Sequence, residues 1–123
     1  MLWFLFIACT PLVGDWSGEV DCGDYSMDLE ISLEWRDGEY QGDGWLDCTD
    51  GYGSDCEQTF DIQLEAEGFM GEQDLDVDLD DCEYTLDGYS GEGSCDNPDD
   101  VEWDGADGIT GEWDGCDVEL ERD

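Results

Sequence analysis

The chain has 123 residues, one domain's worth, and sets 38 Asp and Glu against two cations, Arg36 and Arg122, for a net charge of −36 with no histidine. Such a balance excludes nucleic acid and anionic lipid headgroups as partners, because both require a basic face. It also excludes chemistry that runs on His or Lys: Ser-His-Asp triads, Cys-His pairs, Schiff bases and His-ligated zinc.

Met1 to Ala8 is an unbroken apolar run, M-L-W-F-L-F-I-A. As a helix it would span about 12 Å, far short of the ~30 Å hydrocarbon core of a membrane, so it reads as the hydrophobic segment of a secretory signal. Phe6-Ile7-Ala8-Cys9 resembles a bacterial lipobox: two apolar residues, a small one, then cysteine. Phe6 stands where leucine is usual; no charged residue precedes the run and the segment is very short, and a start upstream of Met1 would account for these last two. The resemblance implies cleavage before Cys9 and acylation of that cysteine. It further implies a mature chain held by its acyl anchor on a bacterial cell envelope, at the outer membrane or cell surface. The expected division is a signal segment at 1–8, a lipid anchor and tether at 9–14, and an acidic domain at 15–123.

Cysteine parity points the same way. The chain has seven cysteines, an odd number. With Cys9 taken as the anchor, Cys22, Cys48, Cys56, Cys82, Cys95 and Cys116 remain, enough for three disulfides in an exported domain. No C-x-x-C occurs, which argues against a thiolate zinc site. The spacing leaves all 15 possible pairings open.

The domain reads as antiparallel strands. Trp16-x-Gly18-x-Val20-x-Cys22 opens it. Met27, Leu29, Ile31, Leu33 and Trp35 then alternate with polar residues, the period-two signature of a half-buried strand. Asp37-Gly38 is a hairpin turn signal. Tyr40-x-Gly42-x-Gly44-x-Leu46-x-Cys48 follows, then a loop at 49–57, then Phe60, Ile62, Leu64 and Ala66 in alternation. Leu75, Val77 and Leu79 alternate with Asp74, Asp76, Asp78 and Asp80, and the phase changes before Cys82, Tyr84 and Leu86, which predicts a bulge or turn at 80–81. Tyr89-x-Gly91-x-Gly93-x-Cys95 precedes a second expected loop at 96–107. Ile109-x-Gly111-x-Trp113 and the alternation of Val118 and Leu120 close the chain. No segment carries a helical apolar stripe.

Aliphatic strands and glycine-bearing strands take turns, and glycines repeated along neighbouring strands are what a sharply coiled or closed sheet uses. The fold expected is all-β: an up-and-down antiparallel meander of about eight strands closed into a small disulfide-stapled barrel, with a two-sheet β-sandwich as the alternative. The W-x-G opening and the meander are similar in pattern to avidin-like and lipocalin-like barrels, a likeness that carries no site residues.

Trp16, Tyr40, Tyr89 and Trp113 are expected to point into the barrel, as core filling or as the lining of a pocket. Asp96, Asp99 and Asp100, in a Pro-containing turn, are the weak candidates for a divalent cation such as Ca2+, with Asp47, Asp50 and Asp55 beside the first loop. Weak, collective binding by a solvated acidic face outweighs any single tight site, and no other cofactor is implied. Spread evenly, the carboxylates would stand roughly 13 Å apart, beyond the ~8 Å Debye length at physiological salt. No phosphate loop or dinucleotide fingerprint occurs, and no pair of acids is set apart for acid–base work, so the chain does not read as an enzyme. The functional expectation is an exported, lipid-anchored binding or interaction module whose protein or small-molecule partner the residues do not identify. An acidic, charge-bearing surface protein is the alternative, and a carboxylate-based hydrolase a distant third.

Overall fold

The computed structural model describes residues 12–67 and 73–123. Residues 1–11, and with them the lipobox and Cys9, lie outside the described residues. Nine strands run in chain order: β1 (Gly14–Asp21), β2 (Ser26–Arg36), β3 (Glu39–Asp47), β4 (Cys56–Glu67), β5 (Gln73–Leu86), β6 (Tyr89–Glu92), β7 (Asp99–Trp103), β8 (Gly108–Trp113) and β9 (Cys116–Arg122). One short helical turn, α1 (Thr49–Tyr52), sits between β3 and β4. From β1 to β6 each strand pairs antiparallel with the next, β5 also pairs β7, β7 to β9 pair in order, and β9 returns to β1. The result is a closed eight-stranded barrel, with β6 an extra short strand on the same edge of β5 that pairs with β7.

Three two-residue hairpins set the register. Asp37-Gly38, Asp87-Gly88 and Asp114-Gly115 each place both residues at positive φ, the type I′ geometry that matches strand twist. The flanking residues Arg36 and Glu39, Leu86 and Tyr89, and Trp113 and Cys116 face one another directly. The phase change in β5 is a bulge within one continuous strand. Asp81 and Cys82 together oppose Phe60, and Asp81 takes a φ of 49°.

Closure depends on glycine at inward positions. A Cβ on Gly42 would lie 1.7 Å from the Ser32 carbonyl oxygen, and one on Gly18 would lie 1.8 Å from that of Glu119. Neighbouring strands therefore approach more closely there than any side chain permits. Apart from Gln58, the inward face is otherwise apolar: Trp16, Leu33, Leu46, Ile62, Val77, Ile109 and Leu120 are among the buried residues. Leu12 is fully buried as well, and its carbonyl accepts a hydrogen bond from the Trp16 indole (3.0 Å), so the domain begins ahead of the expected boundary at residue 15.

The six cysteines of the domain pair completely, as Cys22–Cys116, Cys48–Cys56 and Cys82–Cys95. All three bridges lie at the end of the barrel opposite Leu12. The loop expected at 96–107 holds a strand instead. In β7, Asp100 sits at a φ of 51° and forms with Val101 a bulge against β8, which hides the alternation of Val101 and Trp103. The third glycine strand, β6, is not a barrel stave. It pairs only with Glu83–Leu86 of β5, and all four of its residues are exposed.

Candidate functional site

The interior offers no ligand chamber among the described residues. Trp16, Tyr40 and Trp113 are buried, at 0%, 5% and 7% exposure. The Trp113 indole donates to the Asp96 carbonyl (2.8 Å), and its ring meets Phe60 edge-on at 5.7 Å. The void among these side chains is about 50 Å³, room for a few waters and far below the ~300 Å³ of a small-molecule site. Eight strands enclose a space that side chains can fill, and here they fill it. Tyr89 departs from expectation: it lies on β6, which pairs with β5 alone, and is 83% exposed. Its i, i+2 glycine pattern is shared with the inward strands, but pairing on one side only leaves it nothing to pack against. At the Leu12 end a depression of about 380 Å³ is walled by Trp35, Tyr40, Leu64 and Trp103.

The one buried polar side chain among the described residues is Gln58. Its amide donates to the Tyr84 hydroxyl (3.2 Å), which donates to the Ser94 carbonyl (3.1 Å). Burial pushes the Tyr84 phenol above its ordinary value.

The larger hollow, about 930 Å³, lies on the outer wall. Strand register builds it from two rows of outward residues. One row runs Asp15, Ser32, Asp43, Asp61, Asp80 across β1 to β5, and the other runs Glu30, Trp45, Thr59, Glu83, Glu92 across β2 to β6. Asp61 is held above the ordinary carboxyl range, first by its hydrogen bond to Asp81, then by partial desolvation and by the charges of Asp81, Asp43 and Asp80. Both members of the pair stay exposed, so crowding of like charges, rather than a buried acid, dominates the site.

The expected cation turn is dismantled. Asp99 and Asp100 lie in strand β7 and are exposed. Asp96 stands beside Asp114, whose carboxyl is raised mainly by a hydrogen bond between the two and then by desolvation. Asn97 is committed to the sheet: its Oδ1 accepts from the Leu79 amide (2.8 Å) and its Nδ2 donates to Asp78 (3.2 Å). Asp47 precedes α1 and is held below the ordinary carboxyl value first by a hydrogen bond from the Thr49 side chain and then by one from the Thr49 amide (3.1 Å). Among the described residues no group of three or more acids or cysteines is placed to hold a metal ion.

The barrel end carrying the disulfides bears exposed aromatic groups that have no periodicity in the sequence and escape a pattern reading. Tyr25 lies against Gly51 of α1, and Tyr52 of α1 is 65% exposed. The Asp87 amide donates to the Asp55 carbonyl (2.8 Å), tying the β5–β6 turn to the loop of α1, and Leu86 and Tyr89 flank that turn. Composition was the available signal: Tyr, Gly, Ser and Asp crowd the segments 22–25, 49–55 and 86–90.

No family model, no curated protein and no solved structure matches the chain.

Proposed function

We propose that this chain is an exported, lipid-anchored protein of a bacterial cell envelope, acting as an interaction module through the outside of its barrel and not as an enzyme. The filled interior carries the reading: with about 50 Å³ of space inside, recognition falls to the outer surface. Complete pairing of the six domain cysteines fits an oxidising compartment and leaves Cys9 for the acyl chains. A non-enzymatic role is supported by the exposure of the acids in the outer hollow, because a general acid there would need burial to hold its proton near neutrality. Acid placed opposite acid along the outer wall favours a second reading, a charge-bearing surface protein that gathers Ca2+ weakly and collectively.

The test is the intact mass of the membrane fraction after expression in a bacterial host, with and without thiol alkylation. A diacyl or triacyl increment on a chain starting at Cys9, with no alkylatable thiol, is expected. An unmodified chain with free thiols would overturn both the anchor and the compartment.

A further inference from the structure

We infer that the disulfide-clamped end of the barrel is the docking surface, and that its occupant is an arginine-rich polypeptide segment. The inference deepens the interaction-module reading and rests on it. Among the described residues the exposed large apolar groups are Val13, Tyr25, Trp35, Tyr52, Leu86 and Tyr89, and four of these six lie at this one end. They form a connected surface, because Tyr25 packs on Gly51 beside Tyr52 and the Asp87–Asp55 hydrogen bond joins the α1 loop to the hairpin bearing Leu86 and Tyr89.

All three disulfides sit beneath this surface. Cys22–Cys116 fixes the β1–β2 turn, Cys48–Cys56 closes the α1 loop and Cys82–Cys95 ties down the β5–β6 hairpin. Tyrosines on rigid, Gly- and Asp-rich loops make contact area at small entropic cost, the design of preorganised binding loops. Between them stand the exposed carboxylates Asp24, Asp50, Asp55 and Asp87. Aromatic faces alternating with carboxylates match a guanidinium, which stacks on the ring and binds the carboxylate through its N–H fork. The molecule uses that pairing on itself, where the Arg122 guanidinium lies 4.3 Å from the Trp16 ring centroid and bonds Asp107 at 3.2 Å. Charge also decides against a second copy as occupant, since each carries −36. Leu12 lies at the opposite end, so an acyl anchor ahead of it in the chain would leave the tyrosine end facing away from the membrane.

The full-length, disulfide-intact chain is titrated with a dye-labelled deca-arginine peptide at physiological salt, and amide shifts locate the contact. Shifts confined to 22–25, 49–55 and 86–90 are expected. The triple variant Tyr25→Ala/Tyr52→Ala/Tyr89→Ala, which keeps the net charge, should weaken binding about tenfold or more. The double variant Tyr52→Ala/Tyr89→Ala, which spares the packing of Tyr25, should show the larger part of that loss. Asp43→Asn/Asp61→Asn/Asp80→Asn on the outer wall should change Kd by no more than about twofold. Binding that ignores the tyrosines, or shifts spread over the outer wall, would overturn the surface while leaving an interaction module in place. No binding of the peptide at all would overturn the inference, while the interaction-module reading is decided separately by the intact-mass test.

Discussion

Single positions decide whether this barrel closes. Gly42 stands where a Cβ would overlap the Ser32 carbonyl oxygen at 1.7 Å, and a backbone atom cannot step aside cheaply. Gly42→Ala should cost about 1–3 kcal/mol, the usual range for overpacking, whereas Gly91→Ala, with nothing within 4 Å, should stay within about 0.5 kcal/mol. Guanidinium unfolding midpoints of the oxidised proteins make the comparison, and equal midpoints would remove the role given to glycine. Proton linkage is a second residue-scale effect. Asp61 and Asp114 have carboxyls raised above the 3.8 of the free side chain, each by a hydrogen bond to a neighbouring aspartate. Their contribution is fully present below that value and is lost as pH rises through the raised values in the fold. Asp47, lowered by Thr49, works in the opposite sense: its contribution is present above 3.8 and is lost as pH falls through its depressed value. Above 3.8 Asp47 is ionised in both states and adds no slope, so stability should decline as pH rises from 3.8 through the raised values of Asp61 and Asp114, and Asp61→Asn/Asp114→Asn should flatten that decline. A slope identical to wild type in thermal melts across that range would show that the paired aspartates carry none of it.

Between elements, the bridges divide their work by the length of chain they close. Cys22–Cys116 spans 94 residues and links the end of β1 to the start of β9, the seam at which the sheet becomes a barrel. Cys48–Cys56 spans 8 residues within one loop. Chain entropy assigns roughly 4–5 kcal/mol to the first and roughly 2–3 kcal/mol to the second. Replacing each pair by serine should therefore lower the unfolding midpoint more for the seam than for the loop, and the reverse order would mean that strand pairing alone closes the barrel. This is also the scale at which the sequence was most readable and least complete. Period-two alternation marked β2, β4, β5 and β9, Asp37-Gly38 marked a hairpin, and the phase change before Cys82 marked a bulge or a turn, because each is a local pattern that closure does not alter. β7 was hidden: a left-handed Asp100 breaks its alternation inside a run rich in Asp, Gly and Pro. Tyr89 was misplaced because glycine spacing is the same on a strand paired on both sides and on one paired on a single side. Of the candidate site, Trp16, Tyr40 and Trp113 stood out from their strand parity, and Tyr25 and Tyr52 did not, since a turn aromatic has no period to betray it. Cysteine pairing and the facing of acid against acid depend on register across the sheet, which no local pattern contains.

Across the whole molecule, that facing turns a large charge into a concentrated one. An even spread would keep carboxylates beyond a Debye length of one another. Register instead sets Glu19 against Asp28 and Glu119, Asp43 against Asp61, Glu65 against Asp76, and Glu83 against Glu92 on adjacent strands. Directly opposed residues have Cβ atoms only about 5 Å apart, and like charges so placed destabilise a sheet. The two cations cannot relieve this: Arg36 pairs with Glu34, and Arg122 is engaged by Asp107 and Trp16. In dilute buffer the Debye length grows to ~30 Å and every carboxylate feels dozens of others, a sum that rivals the ~5–15 kcal/mol holding a domain together. The oxidised protein should therefore melt lower in about 10 mM NaCl than in 1 M, by on the order of 10 °C. Ca2+ should reproduce the rescue at far lower concentration, because a divalent ion between facing carboxylates neutralises both. A midpoint unmoved by NaCl would mean that the three disulfides and the filled core outweigh the repulsion. A response to NaCl with no advantage for Ca2+ would mean that the facing acids act as a diffuse field and not as local pairs.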